Sequence, residues 1–396
     1  MKKLYYILFF FLPITAFSQW DSLSSGSTDC LNSVYFIDAT TGYAVGNYGT
    51  IVKTINGGIN WTVLSSGTNR WLNSVCFTDT NTGFAVGDTG TILKTINGGS
   101  SWTQILSGTT NTLFSVYFTD ANTGYAVGDA ELILKTTNGG TTWTQILIGT
   151  MNTLFSVNFP DANTGFAVGA FGTIIKTINA GTTWTPVWSS TNEMILSVFF
   201  TNANTGYAIG MDFLSNIGII FKTNNGGTTW DTLSSETLNN LFSVYFTDAN
   251  TGYAVGWNGK ILKTTDGGTT WTAQVSGTST NLYSIYFTDA NTGYVVGNNG
   301  TVLKTSNGGT GLDDLSSKSS NLTVYPNPSS NQVTVELSGT LKKGNLSITN
   351  LNGQQFLTCQ ITESKTQIDI SNLPSGVYFV WLTGDRTVEA GKIIKQ

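Results

Sequence analysis

KTTNGGTTW, residues 135–143, is one copy of a motif that sets the architecture of most of this chain. It recurs as KTINGGINW at 53–61, KTINGGSSW at 94–102, KTINAGTTW at 176–184, KTNNGGTTW at 222–230 and KTTDGGTTW at 263–271. The closing residues Trp61, Trp102, Trp143, Trp184, Trp230 and Trp271 stand 41 residues apart, except for 46 between Trp184 and Trp230. A fixed period of this length marks a propeller, a solenoid or an array. Each unit holds four β-branched and aromatic runs, for example LFSVYFTD (113–120), TGYAVG (123–128), LILKTT (132–137) and WTQILIG (143–149). They are separated by D-A-N-T-G, a variable turn and N-G-G, so four short antiparallel strands per unit are predicted. The first run is apolar on both faces, which predicts a strand sandwiched between neighbouring sheets.

The first three runs occur seven times, with a lysine at Lys53, Lys94, Lys135, Lys176, Lys222, Lys263 and Lys304. The seventh copy, KTSNGGTGL, has Leu312 where tryptophan is due and no fourth run. The missing strand is expected at the other end: QWDSLSSG (19–26) matches NWTVLSSG (60–67), and Trp20 to Trp61 is again 41 residues. The predicted fold is all-β, a seven-bladed β-propeller over residues 19–312 closed by the N-terminal strand. Closure of this kind removes a sheet edge that would invite aggregation.

The pattern T-x-N-x-G-x-T-W resembles the Asp-box of bacterial-neuraminidase-type repeats, found in sialidases and sortilin-like propellers. The whole unit is similar to the photosystem II stability/assembly factor repeat. The physical role expected of the box is a hairpin clamp between the third and fourth strands. An Asx side chain bonds nearby backbone N–H groups, glycines supply unusual φ, and tryptophan packs between blades. Asn56, Asn97, Asn138, Asn179, Asn225 and Asn307 hold the key position, and only Asp266 is charged. A metal ligand or general acid would not survive that neutral replacement, so the box is assigned a structural role, with no metal and no catalytic residue. The D-A-N-T-G turns lack the further carboxylates of a calcium loop, and blade five carries Asn202 for the aspartate; they are read as Asx-stabilised turns. The repeated aspartates and lysines fall near the same end and are expected to form solvated pairs.

Enzyme chemistry is poorly supported. Histidine is absent. A sialidase clamps its substrate carboxylate with an arginine triad, and this chain has only Arg70 and Arg386. A glycoside hydrolase of another type needs two carboxylates across a cleft. Asp88, Asp129, Glu131, Glu193, Asp212 and Glu236 lie outside the repeat consensus, but nothing in their spacing pairs them. No cofactor is called for.

Strand alternation places the repetitive turns on one face and the varied turns on the other. The varied turns contribute Tyr48, Phe171, Trp257 and the insertion MDFLSN (211–216) with Phe213, together with Arg70, Trp71, Met151, Trp188 and Met194. Unlike side chains on a rigid scaffold suit binding. Tyr48, Trp71, Phe171, Trp188, Phe213 and Trp257 are the predicted ligand contacts for a sugar or peptide, with Trp257 and Phe213 as anchors. Residues 19–312 carry nine Lys and Arg against sixteen Asp and Glu, a balance of −7. That argues against nucleic acid and anionic membranes as partners. The family resemblance implies a basic, arginine-containing surface that engages photosystem precursors; Arg70 alone does not make one, so photosystem assembly is not carried over.

The first residues, MKKLYYILFFFLPITAFSQW, read as a secretory signal peptide over 1–18, and no later stretch predicts membrane insertion. Cys30, Cys76 and Cys359 are too few to staple the fold; Cys30–Cys76 is conceivable, and buried or free thiols are expected. Residues 313–321 form a polar linker, and 322–396 predict a small β-sandwich. VYPNP (324–328), LNG (351–353), LPSGVYFV (373–380) and the Lys-rich end (392–396) closely resemble the type A sorting domain of the type IX secretion system. The resemblance implies the type IX machinery as partner and a secreted or outer-membrane cell-surface location in a Bacteroidetes-type bacterium. The function expected is a non-catalytic binding or adhesion module; the alternatives are a polysaccharide-active glycoside hydrolase and an assembly factor for an envelope complex.

Overall fold

The computed structural model describes residues 19–149, 152–189, 192–215, 217–235, 237–309, 322–337, 344–350, 354–383 and 388–396. The predicted leader (1–18) and linker (313–321), with Met151, Glu236, Leu312, LNG (351–353) and Arg386, lie outside these residues. The chain divides into two compact units, Met1–Gly309 and Thr310–Gln396.

Seven four-stranded antiparallel sheets make up the first unit. Blade 1 runs Leu31–Phe36, Gly42–Gly46, Ile51–Thr54 and Thr62–Leu64, and blades 2 to 6 repeat this order. Blade 7 takes Leu282–Phe287, Gly293–Gly297 and Thr301–Thr305 from the C-terminal end and Asp21–Ser24 from the N-terminal end. Asp21 lies opposite Lys304 and Ser24 opposite Thr301 in an antiparallel ladder. Trp20 adds its ring to the core beside Tyr253 and Phe287, the place Trp102 occupies beside Tyr43 and Phe77.

The core lies between blades. Leu31, Val34, Phe36 and Trp61 of blade 1 pack on Tyr294, Val296 and Val302 of blade 7. Phe36 stacks on Tyr294 at 3.9 Å, and Trp61 meets Phe36 edge-on at 5.9 Å. This contact joins the last blade to the first and shuts the ring. The strand buried on both faces is the second one, Gly42–Gly46 and its copies, whereas the first strand alternates buried with half-buried residues. The expectation placed full burial one strand too far in, because the innermost strand has a free edge on the axis and no further strand beside it.

That free edge is satisfied blade by blade. Ser33 Oγ accepts the Val75 N–H of the next blade, and Ser74, Ser115, Ser156, Ser197, Ser243 and Ser284 do the same around the circle. Seven hydroxyls thus replace the ladder partner that an edge strand lacks.

The second unit holds a three-stranded sheet (Leu322–Tyr325, Gln332–Leu337, Lys365–Asp369) and a four-stranded sheet (Gln355–Ile361, Gly344–Asn350, Gly376–Thr383, Val388–Lys395). Val333, Val335, Ile368, Leu346, Ile348 and Val380 of the two sheets share one core. Asn327, in the VYPNP stretch, fastens the last strand. Its Nδ2 donates to Lys392 O, and its Oδ1 accepts Ile394 N–H.

Candidate functional site: two unlike faces of the propeller

On the repetitive face, each box is a closed set of local bonds. Thr54 Oγ1 donates to Asn56 Oδ1 and accepts Gly58 N–H, while Asn56 Oδ1 also accepts Asn60 N–H. Gly57 and Gly58 sit at φ of 65° and 80°, where a side chain would be strained. Asp266 uses its second oxygen for Thr270 Oγ1, so its charge is spent inside the hairpin.

The lysines act between blades. Lys53 Nζ donates to Gly98 O of the next box at 2.7 Å and lies 5.3 Å over the Tyr43 ring, whose hydroxyl donates to the same carbonyl at 2.8 Å. Lys94, Lys135, Lys176, Lys222, Lys263 and Lys304 repeat this, the last reaching Gly57 O across the ring closure. Where Phe84 or Phe166 replaces the tyrosine, the lysine is the one side-chain donor to that carbonyl among the described residues. The predicted solvated Asp–Lys pairs are therefore corrected. The lysine tip gains more from a buried carbonyl and an aromatic face than from an exposed carboxylate. The aspartates cap their own turns instead: Asp38 accepts from Thr40 and Thr41, and these bonds, the Thr40 hydroxyl first, hold its carboxyl below the usual aspartate range. Burial, helped by Asp38, pushes the Tyr43 phenol up to about 12.

The varied face keeps its aromatics outside. Tyr48 is 66 % exposed and meets Trp71 edge-on at 6.4 Å; Phe171 is 52 % exposed and Phe213 is 41 % exposed. Tyr48 and Phe171 both hold a left-handed φ of 56°. Trp257 is 40 % exposed and lies 6.3 Å from Phe242. Trp188 differs: its ring packs on Phe221 within a blade interface, so it supports the face from below. The six candidates therefore form no single cluster. Tyr48 and Trp71 make one pair and Trp257 belongs to another group, while no ring contact joins Phe171 or Phe213 to the rest.

Sequence reasoning missed the residues nearest the axis on this face. The first strand bulges after its opening leucine: Leu31 pairs with Gly46 and Ser33 with Val45, which leaves Asn32 unpaired. Gly46 permits this because a Cβ there would strike the Cys30 carbonyl. The bulge position holds Asn32, Asn73, Phe114, Phe155, Leu196, Phe242 and Tyr283 in blades 1 to 7. Phe114 stands 5.2 Å from Phe155, and Phe242 stands 5.1 Å from Tyr283. The available signal was a column of unlike residues directly after an apolar one, hidden inside a run read as core.

Among the candidate carboxylates, Glu193 and Asp212 come together as opposite residues of blade 5. They are neighbours in one sheet and not walls of a cleft, and Asp212 is occupied by Leu214 and Ser215 N–H groups. Asp88 receives Asn73 Nδ2, and Asp129 receives the Thr153 hydroxyl. Among the described residues no group of three Cys, Asp or Glu is placed to hold a metal, and no helix is long and apolar enough to cross a membrane. Cys30, Cys76 and Cys359 are free thiols.

Four overlapping stretches, 12–109, 60–151, 104–242 and 234–306, match the family of the photosynthesis system II assembly factor YCF48. The chain belongs to the YCF48 family. Residues 323–396 match the secretion system C-terminal sorting domain. A solved YCF48 bound to D1 peptide is similar at 22 % identity and a TM-score of 0.63, over 73 % of this chain and 97 % of that one. YCF48 from Cyanidioschyzon merolae gives 22 % and 0.61, over 72 % and 98 %. The WD40 β-propeller domain of Doa1 gives 14 % and 0.59, over 72 % and 97 %. No curated protein matches in sequence. At these identities the solved structures speak for the propeller fold. The YCF48 relatives are assembly factors, and the sorting domain assigns this member to secretion, by a route that the sequence likeness identifies as type IX.

Proposed function

We propose that this YCF48-family chain is an exported, non-catalytic binding protein. A leader over 1–18 starts its passage, residues 322–396 hand it to the type IX machinery, and the propeller then works at the cell surface or in the medium. The observation that carries the reading is the contrast between faces. Among the described residues the box asparagines, threonines and lysines bond within their own hairpin or to the next blade, while the opposite face exposes Tyr48, Trp71, Phe171 and Trp257. Exposed aromatics held by a rigid ring suit recognition. A protein ligand is favoured over a glycan by one consideration, that a relative of the same fold is bound to a peptide.

The test is to present the exported chain to panels of peptides and polysaccharides, reading binding and the release of reducing ends together. Binding without release is expected. Release that disappears in Glu193→Gln would replace this reading with glycoside hydrolysis.

A further inference from the structure

We infer that blade 1 carries a saccharide site on the rim of the varied face, and that it takes a neutral sugar ring held against Tyr48. The inference goes beyond the reading above: it rests on one groove, whatever ligand the exposed aromatics of the other blades take.

Two loops of one blade build the groove. It has a volume of about 610 Å³ and lies between the turn at 48–50 and residues 63–69, which lead out of the outermost strand. Its floor is tight. A Cβ on Gly49 would meet Thr68 O at 2.0 Å, Ser66 Oγ donates to Thr68 O, and Thr50 Oγ1 donates to Asp29 Oδ2. Beyond the floor the space opens, since a Cβ on Gly67 would find nothing within 4 Å. The scaffold belongs to the repeat: blade 6 has a groove of about 440 Å³ at the same place.

The lining sets blade 1 apart. Blade 6 brings Asn258, Lys260 and Gln274 to its groove, where blade 1 brings Tyr48, Thr50 and Leu64. None of the residues lining the blade 1 groove is charged, and Arg70, the next residue along, does not line it. Tyr48 is 66 % exposed at a φ of 56°, a conformation that suits asparagine, as at Asn258, better than a bulky ring. Trp71 stands edge-on to Tyr48 outside the groove and steadies the ring. Val63, 51 % exposed, adds a second apolar surface. Among the described residues the hydroxyls of Tyr48 and Ser65 and the amide of Asn69 make no hydrogen bond of their own.

These groups select the occupant. A sugar ring offers an apolar C–H face to an aromatic side chain, and hydroxyls at its edge that both donate and accept. The Asn69 amide and the Ser65 hydroxyl also do both. A lining without charge offers no ion-pair partner to a uronic acid or to a charged peptide, so a neutral ring is favoured. An uncharged peptide would have to add to the strand beside the groove, Thr62–Leu64, which is three residues long and gives too short a ladder.

The experiment titrates the exported chain, by ligand-observed NMR, with neutral trisaccharides of glucose, mannose and galactose, with trigalacturonate and with uncharged heptapeptides. Tyr48→Asn removes the ring and installs the residue that blade 6 already holds in this conformation, so the fold is kept. Tyr48→Phe keeps the ring, and Thr89→Asn makes the same change of turn residue in blade 2. The inference expects at least one neutral trisaccharide to bind, with Tyr48→Asn weakening it about tenfold or more and Asn69→Ala about threefold or more. Tyr48→Phe and Thr89→Asn should change it less than about threefold. Saccharide binding that survives Tyr48→Asn overturns the site. Binding at Tyr48 confined to trigalacturonate or to the peptides overturns the ligand class. No saccharide binding overturns the inference, and peptide binding that persists in that case leaves the function proposed above standing.

Discussion

The two faces of this propeller use the same residue types for opposite ends. On the box face, asparagine, threonine and lysine close on themselves and on the next blade; Lys53 Nζ and Tyr43 OH converge on one carbonyl, Gly98 O. On the other face, Tyr48 stands largely in solvent in a left-handed conformation, with Trp71 edge-on beside it at 6.4 Å. Repetition belongs where the neighbour is always another blade. Variation belongs where the neighbour is something else.

The comparison can be broken or sharpened by substitution. The largest effect is expected at the ring closure. Trp20, 1 % exposed, joins the N-terminal strand to the core of blades 6 and 7, and Trp20→Ala should cost about 3–5 kcal/mol in denaturant unfolding of the exported chain. An unchanged midpoint would mean that closure adds little to the ring. Next come the lysines. Lys94→Met removes the one side-chain donor to Gly139 O among the described residues and should cost about 2 kcal/mol, whereas Lys53→Met leaves Tyr43 on Gly98 O and should cost about 1 kcal/mol. Equal losses would show that the tyrosine does not back up the lysine.

On the varied face the sign reverses. Phe171→Asn relieves a bulky residue at φ 56° and should raise stability by about 1 kcal/mol. A loss would mean that the exposed ring packs after all. The smallest effect concerns pH. Asp120 is held below the usual aspartate range, chiefly by the backbone N–H of Asn122 and then that of Thr123. A carboxyl lowered on folding stabilises the fold at pH above its unfolded range and loses that contribution as pH falls through its folded range. Asp120→Asn should therefore flatten the acid limb of the stability curve slightly, towards what Asn202 already does in blade 5. An unchanged acid limb would place the pH dependence elsewhere.

Much of this was legible in the residues. The 41-residue spacing gave seven blades, and the match of QWDSLSSG to NWTVLSSG located the strand Asp21–Ser24. A periodic sequence shows which positions are alike, and not which neighbour each one touches. Lys53 was therefore assigned to a nearby aspartate, although its partner, Gly98, stands 45 residues on, in the next blade. Phe114 and Phe242 were taken as core because a bulge leaves no mark in an apolar run. Trp188 was taken as exposed because its turn is varied, yet its ring packs on Phe221. Each miss concerns an inter-blade contact or a local break in alternation.

The central claim is that the box holds the ring and the opposite face holds the ligand. It is tested most directly by measuring peptide binding to the exported chain with Asp266→Asn beside Trp257→Ala. The first replaces the one charged box residue with the asparagine used in the other copies. Binding unchanged in Asp266→Asn and reduced about tenfold in Trp257→Ala is the result expected. Binding lost in Asp266→Asn and kept in Trp257→Ala would place the site on the box face and contradict the account.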